Sequence, residues 1–212
     1  RVLDLPHDFS IEHPFDSTYK TGGGGGYTYS GIGWYRKHFI TEPGYSGKQV
    51  SVVFDGVYRN SEVWINGHYL GIWPYGYSSF YYDLTPYLNP VGENNVIAVK
   101  VNTSGQPNSR WYTGSGIYRH VWLVTKEKLH INQWGVFAHT VEADESEALI
   151  DVSIELNNDH DTDQLCTVVT RFINPEGKIV TKTETQAEVK AGQQQKLKQN
   201  IRFSNPDRKS VV

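Results

Sequence analysis

Short runs of apolar, aromatic and β-branched residues, broken by Gly, Pro, Asn or Asp, recur along the whole chain. Val50–Phe54 (VSVVF), Glu62–Ile65, Val96–Val101 and His120–Val124 have the length and composition of strands. Asn66-Gly67 separates Glu62-Val63-Trp64-Ile65 from His68-Tyr69-Leu70-Gly71. This predicts a two-residue type I′ hairpin, because both turn positions need positive φ. Trp64 is expected to pack in the core. Further along, Ala148–Leu156 (ALIDVSIEL) alternates apolar and polar positions, the period of a half-buried strand. Leu165–Ile173 follows, then the turn Asn174-Pro175-Glu176-Gly177, then Ile179–Thr183. Turn signals recur about every 8–12 residues, as in a sandwich, and no amphipathic helix longer than about 10 residues is visible. The pattern predicts an all-β chain of two sandwiches.

Composition divides the chain in the same way. Of its 28 aromatic residues 25 precede Gly135, including all six Trp and all fourteen Tyr, and 17 of the 20 glycines lie there too. Acidic residues gain the surplus beyond that point. A boundary is expected between 125 and 135, around Thr125-Lys126-Glu127-Lys128. At 212 residues the chain can bury a full core without a metal or disulfide staple. The net charge of −3 lacks the basic footprint of a nucleic-acid binder. No apolar stretch approaches the roughly 18 residues of a membrane span. The single cysteine, Cys166, removes any intrachain disulfide framework. The chain opens on Arg1 and contains no Met, so a trimmed or processed chain is expected. A missing signal peptide then says nothing about export; a periplasmic or secreted bacterial setting is favoured over the cytoplasm.

Catalytic motifs are scarce. There is no G-x-S-x-G elbow and no P-loop. Gly22–Gly26 is followed by neither Lys-Ser/Thr nor a helix able to hold an anion, so it is expected to be a mobile surface loop. No His pairs with another His or with Cys at metal-ligand spacing. His7-Asp8 reads as a loop whose side chains satisfy local backbone groups, and Asn102-Thr103-Ser104 as a chance sequon. Glycosidic chemistry usually needs two carboxylates roughly 5–10 Å apart, but Asp8, Asp55, Glu62 and Asp83 qualify by residue type alone. The aromatics say more. Trp73-Pro74-Tyr75-Gly76-Tyr77 and Arg110-Trp111-Tyr112 sit in Gly/Pro/Ser-rich stretches expected to be loops, where flat rings suit the apolar faces of sugars. Core filling is the alternative use of the same residues.

These fragments fall in a familiar order. Leu5-Pro6-His7-Asp8-Phe9 resembles the L-P-H-D-W segment near the start of glycoside hydrolase family 2 enzymes, especially the bacterial β-galactosidase-like members. Gly31-Ile32-Gly33-Trp34-Tyr35-Arg36-Lys37, Phe54-Asp55-Gly56-Val57, Val63-Trp64-Ile65-Asn66-Gly67 and Gly76-Tyr77-Ser78-Ser79-Phe80 continue the resemblance. Asp83-Leu84-Thr85, Asn94-Asn95-Val96-Ile97-Ala98-Val99 and Ser109-Arg110-Trp111-Tyr112-Thr113-Gly114-Ser115-Gly116-Ile117-Tyr118-Arg119 complete it. Phe9 stands where the family usually has Trp. Beyond about residue 125 the likeness rests on position and strand pattern.

The resemblance implies a galactose-binding-like jelly-roll sandwich at 1–124 and an immunoglobulin-like sandwich at 125–212. It implies no catalytic residue, metal or cofactor in this chain, because the family's two glutamates lie on a later (β/α)₈ barrel of about 250 residues. The partners implied are a galactoside-type carbohydrate and the barrel of the same full-length chain, with no nucleic acid and no membrane. Asn108, Ser109, Arg110 and Trp111 map to the loop that reaches the bound sugar; Arg offers forked donors to vicinal hydroxyls. Arg119 is expected to be a structural ion-pair residue within a strand. A free-standing carbohydrate-binding module, a purely structural domain, and a β-glucuronidase or β-mannosidase of the same architecture are the competing readings. Near the end, Asn205-Pro206-Asp207 resembles N-P-x-L-W, with Arg208-Lys209 in place of Leu-Trp. The second sandwich is expected to be incomplete there, leaving a strand edge open to homo-oligomer formation.

Overall fold

A computed structural model describes residues 1–204 and 206. The Arg208-Lys209 departure from the family pattern lies outside the described residues. The chain forms two compact units, Arg1–Thr125 and Lys126–Val212, and every regular element longer than a three-residue 3-10 turn is a strand.

The first unit holds β1 (Ile32–Ile40), β2 (Gln49–Phe54), β3 (Ser61–Ile65), β4 (His68–Trp73), β5 (Phe80–Asp83), β6 (Asn94–Asn102) and β7 (Val121–Lys126). They make a four-stranded sheet in the order β1-β6-β3-β4 and a three-stranded sheet in the order β5-β2-β7. The two inner faces enclose one core. Val63 and Ile65 from β3 and Val99 and Val101 from β6 pack with Val52, Phe54 and Phe80 from the other sheet, and with Leu84, Val57 and Ile117 from loops. Phe54 stacks on Phe80 at 4.8 Å between ring centroids, and Trp73 stacks on Phe80 at 5.5 Å. Trp73 therefore ends β4 and joins the core periphery rather than a loop.

The hairpin between β3 and β4 turns at Asn66 (φ 49°) and Gly67 (φ 85°), the pair of positive values that a type I′ turn needs. Asn66 also donates to Tyr87 O and Asn95 Oδ1, both at 2.8 Å, and accepts from Val96 N at 2.9 Å. Trp64 departs from the sequence expectation. In β3 only Ser61, Val63 and Ile65 are buried. Trp64 lies on the outer face, because the period of two sends it opposite to Val63 and Ile65.

The second unit holds β8 (Leu129–Ala143), β9 (Glu147–Asn158), β10 (Gln164–Ile173), β11 (Ile179–Val189) and β12 (Gln194–Ser204). Its sheets run β12-β9-β8 and β10-β11. Val152, Ile154 and Leu156 from β9 meet Ala187 and Val189 from β11 and Ile201 from β12. Gln199, 3% exposed, donates from β12 to Val168 O at 3.2 Å and Thr185 Oγ1 at 3.0 Å, tying one sheet to the other. Five strands are present among the described residues, with β11 running six residues past the expected Thr183.

Candidate functional site

The loop between β6 and β7 carries Asn108, Ser109, Arg110 and Trp111, and three anchors fix its course. The first is Asp8. Its Oδ1 accepts the backbone N–H groups of Ser10 and Ser115, both at 2.9 Å, and its Oδ2 accepts the Tyr112 hydroxyl. Phe9 N donates to Ser115 O and His7 N to Ile117 O, each at 2.8 Å, so the first segment runs beside this loop like an added strand. Burial, then the hydrogen bond to Asp8, raises the Tyr112 pKa, so this hydroxyl stays a donor.

The second anchor is Tyr58, 4% exposed, whose hydroxyl accepts a hydrogen bond from Asn108 Nδ2 at 3.0 Å. Its ring lies so close over Gly76 that a Cβ there would meet Tyr58 Cδ2 at 2.1 Å. Tyr118 donates to Gly76 O at 2.8 Å from the adjoining motif.

The third anchor is the glycine run. It is ordered by its own contacts rather than being a mobile loop. Gly23–Gly25 forms a 3-10 turn. Tyr27 N donates to Gly22 O at 2.9 Å, and Thr21 Oγ1 donates to Thr28 O at 2.8 Å. A Cβ on Gly24 would sit 3.5 Å from Arg110 Cα and from Ser109 O, so the turn packs directly on the backbone of the candidate loop. The signal was present in the sequence as five consecutive glycines. Its meaning was hidden because a close approach across about 85 residues leaves no local pattern.

The four candidate side chains then divide. Asn108 is held by Tyr58, and Ser109 Oγ donates to Trp111 O at 2.6 Å. Arg110 is exposed and makes no hydrogen bond or ion pair among the described residues, and Trp111 is 63% exposed. The gap beneath the loop is about 10 Å³ and is lined by Ser10, Thr28, Gln106 and Asn108 among others, the size of a single water.

Other residues singled out from the sequence have structural duties. His7 lies between Tyr35 OH, 2.8 Å from Nδ1, and Glu12 Oε1, 2.9 Å from Nε2. Burial, then the Arg1 charge, holds His7 below its usual pKa against the opposing pull of Asp8. A neutral ring protonated at Nε2 satisfies both contacts. Asp83 caps the turn at Thr85, Asp55 accepts from Trp122 Nε1 at 3.0 Å, and Glu62 pairs with Lys100 at 2.7 Å. Arg119 differs from expectation: it is exposed, precedes β7, and makes no ion pair among the described residues.

The first unit is thus an all-β sandwich that presents a polar and aromatic loop between β6 and β7. Residues 24–127 match the family described as glycosyl hydrolases family 2, sugar binding domain, and the chain belongs to glycoside hydrolase family 2. It is 46% identical over 206 residues to the β-galactosidase BoGH2A of Bacteroides ovatus, covering 97% of this chain and 24% of that protein. It is 32% identical over 226 residues to a β-glucuronidase of Formosa agariphila, covering 97% of this chain and 23% of the relative. A crystal structure of a glycosyl hydrolase family 2 member from Bacteroides cellulosilyticus superposes with a TM-score of 0.90 at 34% identity, over 98% of this chain and 27% of that one. The chain thus spans about a quarter of the length of the curated relatives it matches.

Proposed function

We propose that this chain is the non-catalytic, substrate-shaping portion of a β-galactosidase-like glycosidase. In this reading the first unit is the jelly-roll domain and the second the immunoglobulin-like domain. The loop Asn108–Trp111 forms one wall of a sugar pocket whose floor is a (β/α)₈ barrel elsewhere in a longer protein. One observation carries the reading. The side chains of Arg110 and Trp111 are presented without hydrogen-bond partners among the described residues on a loop held by three separate anchors, above a gap too small for any sugar. Such a loop has recognition chemistry but no cavity of its own. A few hydrogen bonds worth about 1 kcal/mol each fall short of the roughly −4 kcal/mol that a 1 mM dissociation constant needs. A galactoside is favoured by the 46% identity to a β-galactosidase; the β-glucuronidase relative keeps a glucuronide as the second substrate class.

The test has two parts. The purified chain should leave aryl β-galactoside, β-glucuronide and β-mannoside unhydrolysed and bind galactose no tighter than millimolar. In the product of the complete reading frame, Arg110→Ala should raise KM for the preferred aryl glycoside about tenfold, the loss of one charge-assisted hydrogen bond, with kcat reduced less. Turnover by the chain alone, or an unchanged KM, refutes the proposal.

A further inference from the structure

The outer face of the four-stranded sheet carries a feature that the loop reading leaves unused. Trp34 on β1 and Trp64 on β3 flank β6, where Ala98 lies opposite Trp64 and Lys100 opposite Trp34. The two indoles lie 5.3 Å apart at 30°, and Tyr69 from β4 extends the row at 5.3 Å from Trp64. The short side chains of Val96 and Ala98 on β6 leave open space beside this row. The result is a cleft of about 430 Å³ lined by Trp34, Arg36, Trp64, Asn66, Val96 and Ala98. It is an open depression on the sheet face, with mostly apolar walls and a few polar groups, a surface on which one ring can lie flat.

Charge decides what could enter. Asn66 has its side-chain amide fully engaged with Tyr87, Asn95 and Val96. Glu62, beside the cleft on β3, is neutralised by Lys100 at 2.7 Å. Arg36 is exposed and has no hydrogen bond or ion pair among the described residues. It is therefore the one uncompensated charge lining the cleft. A ligand that fits must offer an apolar face to the indoles and an anion to a guanidinium, whose fork matches a carboxylate in two parallel hydrogen bonds. A pyranose ring bearing a carboxylate has both: axial C–H groups on one face and the anion at the ring edge.

We infer that this cleft is a second glycan site, separate from the Asn108–Trp111 loop, which binds a uronic acid residue with its ring on Trp34 and Trp64 and its carboxylate on Arg36. The experiment titrates the full chain with a glucuronic-acid disaccharide and with its neutral glucose counterpart, read by tryptophan fluorescence and by chemical-shift changes of the indole N–H signals. The acidic sugar should give saturable binding that moves the Trp34 and Trp64 signals. Arg36→Gln should weaken it at least tenfold, the loss of a charge-assisted pair, while the neutral sugar binds comparably weakly to both proteins. Trp34→Ala should abolish the response, and a single cooperative thermal transition in each variant shows that both fold. Arg110→Ala should leave this binding intact, which separates the cleft from the loop.

The inference is overturned if the acidic sugar gives no saturable response. It is equally overturned if Arg36→Gln binds as the parent does, or if Arg110→Ala is the variant that loses binding. A concentration-dependent dimer that disappears in Trp34→Ala would show that a second copy occupies the face instead.

Discussion

The Asp8 carboxylate accepts the backbone N–H of Ser115 at 2.9 Å across a separation of 107 residues, and so pins the start of the first unit to the loop that carries the candidate site. The same oxygen accepts from Ser10 N, and its twin accepts from Tyr112. Hydrogen bonds to a charged acceptor contribute about 1.5–3 kcal/mol where they are shielded, less where water competes. Asp8→Ala should therefore cost the first unit about 2 kcal/mol by urea denaturation, and should speed amide exchange at Ser115. Asp8→Asn, which keeps one acceptor, should recover part of both. Exchange at Ser115 that is unchanged in Asp8→Ala would show that the loop holds itself.

Trp64 and Ile65 are neighbours in β3 with opposite fates. Ile65 is fully buried between the sheets, and Trp64 covers the outer face beside Trp34 and Tyr69. Ile65→Ala should cost about 2–5 kcal/mol. Trp64→Ala loses cross-strand contacts only, about 1 kcal/mol. Comparable costs for the two would return Trp64 to the core.

Much of this arrangement was legible beforehand, and the failures share a cause. Runs of β-branched and aromatic residues located β2, β3, β6 and β7, and the apolar/polar alternation of Ala148–Leu156 located β9, because burial of one face imposes that period. The Asn66-Gly67 hairpin was legible because only certain residues tolerate positive φ. Trp64 was misplaced because residue type was weighed above the parity that Val63 and Ile65 already fixed. The strands β11 and β12 were partly missed because Gln199 and Thr185 fill inward positions with paired polar groups. The clamp on the loop was illegible for another reason: Asp8, Tyr58 and Gly24 meet it from far along the chain, and no local pattern records a tertiary contact.

Alkaline pH should act through Tyr35. Burial raises its pKa to about 12, with Asp8 adding to the rise and the backbone of Ile117 opposing it. In the unfolded chain the same phenol ionises near pH 10. The unfolded state therefore releases this proton first as pH rises, so the stabilisation is complete below about pH 10 and is lost between about pH 10 and 12. Urea midpoints at pH 9 and 11 should fall more steeply for the parent chain than for Tyr35→Phe, which has nothing to ionise. Parallel slopes would mean that Tyr35 ionises freely in the fold.

The strand β10 presents an edge that natural sheets usually protect. It pairs with β11 on one side, and among the described residues no strand pairs with its other side. Edges of this kind are blunted by Lys, Pro or inward charges, yet Gln164–Ile173 contains a single charged residue, Arg171. Leu165 is 81% exposed and Ile173 61% exposed on the same face as Val169. Unpaired N–H and C=O groups beside exposed apolar side chains form a template for another strand, and a second copy supplies one in antiparallel register. Light scattering should show a mass that rises with concentration. Val169→Lys, which places a charge on the exposed face, should suppress the rise, and so should Thr167→Pro, which breaks backbone pairing along the strand. Lys198→Glu on β12, in the other sheet of the second unit, should change nothing. A monomer at every concentration, or association that survives both β10 substitutions, would place the contact elsewhere.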